Sequence, residues 1–383
     1  MTGACSLCTS QRVEHVGDLH RRFYSKNGLQ SLDMPIHVCA SCGFAFVNPI
    51  PSQETLVDLH RNVYYPSWGL NEAILRHARD VFDTVKHHVP LGQCRNMLDI
   101  GCGEGALLET FQRHGIQATG VDVREEIDVE RLKSLGIELY QQPFHDVRFP
   151  ECYDIIVLDN VLEHLPDPLT TLREVRNLLS PAGYLVILVP YVAPQASGTF
   201  IQEHVNFFSP QTIENACALC GLLPVLKPDH NLETSIYQNT LEARLPTVVN
   251  DYAYVSSTIH NFILHNNAVE RNGFAKLQDT LDALFAQGKR ILFYGAGSYA
   301  LNILENVRLH DRLFVGIVDS NQGKVGQKLL THTIFGANDI ELLAPDGILI
   351  CTDNVYFVEE ISTMLKARFS SSSVRILTMD ETS

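Results

Sequence analysis

The chain has 383 residues, a net charge of −15 and a hydrophobic fraction of 45%, and its length predicts two or three domains rather than one. The acidic balance disfavours a nucleic-acid partner, because binding to phosphate backbones relies on clustered lysine and arginine. The chain has no apolar run of about 18 residues and no charged-then-apolar leader, so we expect a cytoplasmic protein with small-molecule chemistry and no membrane partner.

Two cysteine pairs stand out near the start of the chain: Cys5 with Cys8, and Cys39 with Cys42. Each pair has the spacing of a zinc knuckle, and two knuckles supply the four thiolates of a tetrahedral site. Without a secretion signal, thiols that bind metal are expected more than disulfides, and unpaired core cysteines are the alternative. We predict a zinc-binding module over residues 1–65, with a structural metal because cysteine fills all four positions.

Residues 66–245 alternate between helical and strand patterns, which predicts an α/β domain with a doubly wound parallel sheet. Ligands bind such sheets at the carboxyl ends of the strands, so the site is expected at that edge. Predicted helices cover 73–89, 105–114, 126–135 and 168–179, with a further helical stretch at 251–287; predicted strands cover 96–100, 117–122, 137–140, 155–158 and 184–190.

The stretch MLDIGCGEG, from Met97 to Gly105, describes a strand that runs into a glycine loop and opens a helix. Gly101, Gly103 and Gly105 would let a nucleoside-bearing cofactor approach the backbone closely. Ala106 completes a G-x-G-x-x-A dinucleotide pattern, which is weak evidence when it stands alone. The loop therefore predicts a cofactor site without identifying the cofactor.

Acidic residues in and beyond this loop favour a cationic cofactor. Asp99 precedes the loop and Glu104 lies within it, so two negative charges would face a pyrophosphate. S-adenosylmethionine carries an ammonium and a sulfonium but no phosphate, and Asp99 is predicted to hold the ammonium directly or through water. Asp122 ends the next strand, where an acid hydrogen-bonds ribose hydroxyls. Phe144 and Asn160 are the remaining residues predicted to line the cofactor.

A second glycine loop lies in residues 246–383. Its predicted strand runs into Gly295, Gly297 and Ala300, which repeat the G-x-G-x-x-A pattern without an acid inside the loop. Asp319 ends the following predicted strand, at the position of a ribose-binding acid. We predict a second Rossmann-like α/β domain here.

In this order, the motifs resemble those of the nucleotide-sugar C-methyltransferases of deoxysugar pathways. The resemblance covers nearly the whole chain and rests on CxxC…CxxCG, FxNP at residues 46–49, LDIGCGEG, LEHLPDP, EHVNFFS at residues 203–209, and GAG followed by VDSN. It implies an N-terminal zinc-binding module, a class I methyltransferase core and a C-terminal substrate-binding domain. It also implies that the acceptor is a keto sugar on a nucleoside diphosphate, bound between the core and the tail.

The chemistry of such a reaction requires a base. A carbonyl beside the target carbon acidifies its C–H bond, and a base with a pKa near neutrality removes that proton to give an enolate. His204 is the predicted base, with Glu203 beside it to fix its tautomer or bind the substrate. The resemblance places Tyr65 over the active site. Family members tend to carry a tyrosine-histidine pair where this chain has Ile201 and Gln202.

Three alternatives stay open. O- or N-methylation of a sugar or other small metabolite would use the same donor, with His204 deprotonating a hydroxyl or amine. RNA methylation fits the zinc module but not the acidic charge. A dehydrogenase would bind NAD at the Gly295 loop. Glu163 and His164 of LEHLPDP are expected to have a structural or cofactor-proximal role.

Overall fold

The computed structural model describes residues 4–25, 28–62, 70, 72–125, 127–193, 199–201, 203–229, 233–240, 248–352 and 355–378. The chain divides into two compact units. The first comprises Met1–Leu19, Asp33–Arg61 and Ser67–Phe262, and the second comprises His20–Leu32, Asn62–Pro66 and Ile263–Ser383. The predicted three-part division at residues 65 and 245 stays a prediction.

A four-stranded sheet carries the two cysteine pairs. It is formed by β1 (Val13–Ser25), β2 (Gly28–Cys39), β3 (Ala45–Val47) and β9 (Asn206–Phe207), in the order β1-β2-β3-β9. Strands β1 and β2 thus occupy most of the long insert between the cysteine pairs. The last strand comes from a distant part of the sequence and pairs antiparallel with β3.

A seven-stranded sheet forms the centre of the first unit. The elements around it are α1 (Gln53–Asn62), α2 (Glu72–His88), β4 (Asn96–Ile100), α3 (Ala106–Arg113), β5 (Gln117–Asp122), α4 (Val129–Ser134), β6 (Glu138–Gln141), β7 (Tyr153–Asp159), α5 (Pro168–Leu178), β8 (Leu179–Leu188), α6 (Pro210–Leu219), β10 (Leu222–Leu226) and β11 (Thr234–Asn239). The strand order is β10-β11-β8-β7-β4-β5-β6.

Strands β4 to β8 pair in parallel, which confirms the predicted doubly wound sheet. The run Ile155–Leu158 in β7 is fully buried, as expected for a parallel strand covered on both faces. The sheet continues beyond β8 with β11 and β10, which pair antiparallel. This closing hairpin was not predicted from the sequence.

The second unit contains another parallel α/β sheet. Helix α7 (Tyr252–Ala286) begins in the first unit, and it is followed by β12 (Ile291–Tyr294), α8 (Ser298–Asn306), β13 (Phe314–Asp319), β14 (Lys328–Leu329), β15 (His332–Gly336), α9 (Ile340–Leu343), β16 (Gly347–Ile350), α10 (Val355–Arg368) and β17 (Arg375–Leu377). The strand order is β14-β15-β13-β12-β16-β17, with only β14 antiparallel to its neighbour. Among the helices that the structure describes, none has both the length and the apolar character needed to cross a membrane.

Candidate active site

The glycine loop after β4 adopts a backbone that side chains disfavour. Gly101, Gly103 and Gly105 have φ angles of 76°, 54° and 77°. A Cβ atom on Gly101 would lie 2.5 Å from the Val161 side chain, and one on Gly105 would lie 2.7 Å from Leu132. Both the backbone conformation and the neighbouring side chains therefore favour glycine at these positions.

Asp99 is a buried acid just before this loop. Its Oδ1 atom has no hydrogen-bond partner within the part of the chain that the structure describes. Burial raises the pKa of Asp99 well above its usual value, and the nearby charges of Asp159 and Asp122 raise it further. A buried acceptor without a donor fits the positively charged ammonium predicted for this position.

Asp122, at the end of β5, ties the glycine loop to the neighbouring strand. Its Oδ2 atom accepts the Gly103 N–H at 2.8 Å, and its Oδ1 atom accepts the Arg124 N–H at 2.9 Å. The Arg124 guanidinium also contacts Asp122 at 3.4 Å and approaches Glu104 at 4.0 Å. Arg124 is a site residue that the sequence reasoning missed, although a basic residue two positions after the strand-ending acid was a usable signal.

The other predicted cofactor residues lie on turns after neighbouring strands. Asn160 follows β7 with a left-handed φ of 52°, and its side chain donates to Asp159 at 2.8 Å. Asp159 also contacts His77 from α2 at 2.7 Å, which raises the pKa of that histidine. Phe144 lies half-buried on the turn after β6. The residues predicted from strand ends therefore share one edge of the sheet.

Glu203 and His204 are both buried and lie in an irregular segment just before β9. The Nδ1 atom of His204 lies 2.8 Å from the Thr199 carbonyl oxygen. Because a carbonyl can only accept, Nδ1 carries the proton and Nε2 carries the lone pair. His204 thus has the tautomer that a base acting through Nε2 requires.

The carboxyl group facing this nitrogen belongs to Glu163. Its Oε1 atom lies 3.9 Å from His204 Nε2, and both side chains are buried. His164 lies beside them, and its Nδ1 atom is 3.0 Å from the backbone carbonyl of Glu203. One ligating atom from each of Glu163, His164 and His204 lies within 4.8 Å of the other two. The sequence predicts Glu203 as the partner of His204 and misses Glu163 in this position.

The four N-terminal cysteines converge in the first unit. The Sγ atoms of Cys5 and Cys42 are 3.7 Å apart, and those of Cys8 and Cys39 are 3.5 Å apart. All four lie within 4.8 Å of one another. A tetrahedral ion with zinc–sulfur bonds of about 2.3 Å separates its sulfur atoms by roughly 3.8 Å, so the cluster fits zinc. Tyr65, the third predicted catalytic residue, lies outside the described residues.

Part of the chain matches a known family model. Residues 74–227 match the family model described as a methyltransferase domain. The ubiquinone biosynthesis O-methyltransferase of Aeromonas salmonicida is 41% identical over 100 residues, which are 24% of this chain and 42% of the relative. The ubiquinone biosynthesis O-methyltransferase of Proteus mirabilis is 38% identical over 98 residues, which are 24% of this chain and 40% of the relative. The chain thus spans about two fifths of the length of the curated relatives it matches.

Two solved structures illustrate the structural similarity. The 1,6-didemethyltoxoflavin-N1-methyltransferase of Burkholderia thailandensis has a TM-score of 0.39 and 19% identity, covering 51% of this chain and 96% of the other. CalS10, an amino pentose methyltransferase from Micromonospora echinaspora, has a TM-score of 0.35 and 16% identity; the match covers 47% of this chain and 100% of CalS10. The family match at residues 74–227 covers six strands of the seven-stranded sheet, all but β11, and this sheet with its helices has the class I methyltransferase α/β fold. The chain therefore carries a methyltransferase domain, and the predicted enzyme class is confirmed at the level of this domain.

Proposed function

We propose that this chain is an S-adenosylmethionine-dependent C-methyltransferase whose acceptor is a nucleotide-linked keto sugar. The observation that carries the proposal is the buried His204, whose Nε2 atom bears the lone pair and lies 3.9 Å from Glu163 on the turn after β7. Val161, two residues before Glu163, packs against Gly101 of the glycine loop, which links the base to the cofactor site. A base and a cofactor site at one edge of the sheet are what carbon methylation needs.

Residues around the glycine loop would hold the cofactor. When bound, S-adenosylmethionine supplies an electrophilic methyl group on a sulfonium. Asp99 would accept hydrogen bonds from its ammonium, and Asp122 would accept them from the ribose hydroxyls while keeping its bond to Gly103. Phe144 and Asn160 would line the remaining surface. Before the cofactor binds, the Arg124 guanidinium would reduce the electrostatic repulsion between the carboxylates of Asp122 and Glu104.

His204 would perform the proton transfer. Its Nε2 atom takes the proton from the carbon beside the acceptor's carbonyl, while Nδ1–H stays bonded to Thr199. The electron pair of the broken C–H bond moves into the acceptor as an enolate, and its carbon forms the new bond to the methyl group. Glu203 would help to hold the substrate, and Tyr65 is proposed to lie over it.

The other two parts of the chain would serve supporting roles. Cys5, Cys8, Cys39 and Cys42 would bind a structural zinc ion, as their converging sulfur atoms support. The C-terminal unit would contribute to substrate binding without taking up NAD. Asp319 there accepts the Ala296 N–H at 2.8 Å and lies 3.1 Å from the Lys324 ammonium, much as Asp122 accepts the Gly103 N–H and contacts Arg124.

The decisive experiment measures solvent exchange at the acceptor carbon. We expect the purified protein, given a nucleoside diphosphate keto sugar in heavy water, to exchange the proton beside the carbonyl, with the exchange lost in His204→Ala. Calorimetry should show that this variant keeps its affinity for S-adenosylmethionine. A methylated sugar that keeps a deuterium label at the carbon beside the carbonyl would instead indicate O- or N-methylation, the second candidate, which the O-methyltransferase names of the relatives favour.

A further inference from the structure

Glu163 is the buried carboxyl group that the mechanism above does not use. It lies on the turn Leu162–His164 directly after β7, and its side chain is fully buried. Within the described residues, neither carboxyl oxygen has a hydrogen-bond partner. Burial favours the neutral form of this carboxyl group, yet its Oε1 atom lies 3.9 Å from His204 Nε2, so its presence at this site points to a role beyond packing.

The distance between Glu163 and His204 is set by the backbone on both sides. The Val205 N–H donates to the Glu163 carbonyl at 2.8 Å, one residue after the histidine. Asn206 then donates through its side chain to the carbonyls of Leu162 at 3.2 Å and Leu165 at 2.6 Å. The turn that carries the acid and the segment that carries the base are thereby held together, and the 3.9 Å approach is a built feature.

The backbone hydrogen bonds of the two neighbouring histidines fix which ring nitrogen carries the lone pair. Both Nδ1 atoms donate to backbone carbonyls, His204 to Thr199 and His164 to Glu203. Each Nε2 atom is therefore the basic nitrogen. That of His204 lies 3.9 Å from the Glu163 carboxyl group, and one ring nitrogen of the half-buried His164 lies within 4.8 Å of both groups. Any proton taken up by His204 must go to the nitrogen that faces Glu163.

We propose that Glu163 is a positioning residue for the base, because its carboxylate stabilises the imidazolium that forms when His204 Nε2 accepts a proton. The inference rests on the proposed function, in which His204 is that base. In the step, the acceptor's C–H bond breaks, an N–H bond forms at Nε2, and the electron pair stays on the acceptor as the enolate. The step requires Glu163 to be ionised beside the imidazolium, although burial favours its neutral form, and Glu163 itself exchanges no proton.

The charges around Glu163 explain why its carboxylate depends on His204. Burial raises its pKa well above the usual value, and the negative charges of Asp159 and Glu233 raise it further. His77, which contacts Asp159 at 2.7 Å, partly offsets the charges of Asp159 and Glu233, while ring nitrogens of His164 and His204 lie near Glu163 itself. Protonation of His204 therefore relieves an unfavourable negative charge, which makes the nitrogen a stronger base.

Glu163→Gln tests this role because it removes the charge and keeps the shape. We expect the protonation midpoint of the His204 ring, followed by NMR in histidine-labelled protein, to fall by about one pH unit or more. Proton exchange at the acceptor should slow by at least tenfold, while affinity for S-adenosylmethionine stays within twofold. Glu163→Asp, which keeps the charge on a shorter side chain, should restore part of both effects. Glu214→Gln removes a surface carboxylate paired with Lys227 at 2.6 Å and serves as the matched control.

The possible outcomes separate this inference from the proposed function. An unchanged His204 midpoint in Glu163→Gln, or in the equally uncharged Glu163→Ala if the first variant does not fold, would overturn the role of Glu163. A lowered midpoint with an unchanged exchange rate would overturn His204 as the base and leave the pairing intact. A second bound metal per chain, lost with Glu163→Gln while the cysteine-bound metal remains, would also overturn the proposal, because the three side chains would then be metal ligands.

Discussion

Asp99 and Glu163 are buried acids that the fold itself does not need. Burial raises the pKa of both carboxyl groups. Asp99 is readable from the sequence because it precedes a recognisable glycine loop. The role of Glu163 cannot be read from the sequence, because its pairing with His204 depends on a contact between segments about forty positions apart in the chain. Sequence patterns reveal short-range motifs, whereas the partner of a base is chosen by the fold.

Replacing Asp99 with asparagine should stabilise the protein at neutral pH. Because the pKa of Asp99 is raised in the folded state, the folded chain keeps a proton that the unfolded chain releases above the ordinary pKa of 3.8. The free energy of unfolding of the wild type therefore falls as pH rises through that window, by about 1.4 kcal/mol per pH unit. Asp99→Asn does not titrate, so its Tm should exceed that of the wild type at pH 8, with the difference shrinking toward pH 4.

Asp346→Asn provides a control of opposite sign. The Arg290 backbone N–H lowers the pKa of Asp346, so its charged form favours the folded state above the unfolded pKa. This contribution is lost as pH falls through the lowered folded pKa, and the variant should have the lower Tm at pH 8. Thermal unfolding followed across pH measures both variants. A wild type more stable than Asp99→Asn at pH 8 would contradict the assignment of Asp99 as a costly, functional acid.

His204→Ala and Asp122→Ala should affect different steps. Loss of a general base slows the chemical step by about 10² to 10⁴-fold, so His204→Ala should lose turnover with little change in cofactor affinity. Asp122 holds the glycine loop through Gly103, so Asp122→Ala should weaken cofactor binding first. Calorimetry with S-adenosylmethionine and single-turnover rates provide the comparison. Equal losses of cofactor affinity in both variants would argue against these separate roles.

At the scale of elements, the cysteine cluster and the base are joined through one strand. The second cysteine pair leads directly into β3, which pairs with β9. The Val47 N–H donates to the Val205 carbonyl at 2.9 Å, next to the proposed base. Phe44 also packs against Phe208, with ring centroids 5.3 Å apart. The cysteine module therefore supports the segment that presents His204.

Cys39→Ser should release zinc and impair proton exchange more than cofactor binding. Without the metal, β3 loses its anchor and β9 loses the strand that positions the base, while the loop after β4 keeps its own supports. Metal content, solvent exchange and calorimetry with S-adenosylmethionine together test this order of effects. Cys152→Ser, at an exposed free cysteine, is the matched control. An unchanged zinc content in Cys39→Ser would refute the four-cysteine site.

The elements that sequence patterns predict well are those with strong periodicity. The helix at residues 73–89 is found at Glu72–His88, and the strands at 96–100 and 117–122 have those bounds in the structure. The β10-β11 hairpin escaped prediction because its order and direction in the sheet are set by packing against β8. The short strand β9 was not predicted, because two residues are too few to show a periodic pattern, and only its pairing with β3 defines it as a strand.

At the scale of the whole molecule, the chain carries two glycine loops on two parallel sheets, and only the first keeps an unengaged buried acid among the described residues. Asp319 bonds within its unit, whereas Asp99 has an acceptor atom without a donor. We expect calorimetry with NAD to give no binding heat at millimolar concentration, while S-adenosylmethionine binds one site per chain. NAD bound with micromolar affinity, and lost in Asp319→Ala, would restore the dehydrogenase alternative.

The ring of His204 is oriented by main-chain groups: the Thr199 carbonyl holds Nδ1, and backbone bonds between Val205, Val47 and Glu163 hold the segment. None of these bonds uses the side chain of Ile201, which is half-buried on the same segment. Under the proposed function, a new side chain at position 201 would change the surface offered to the acceptor while the proposed base keeps its orientation. Substrate range and catalytic competence can then evolve on separate residues of the same short segment.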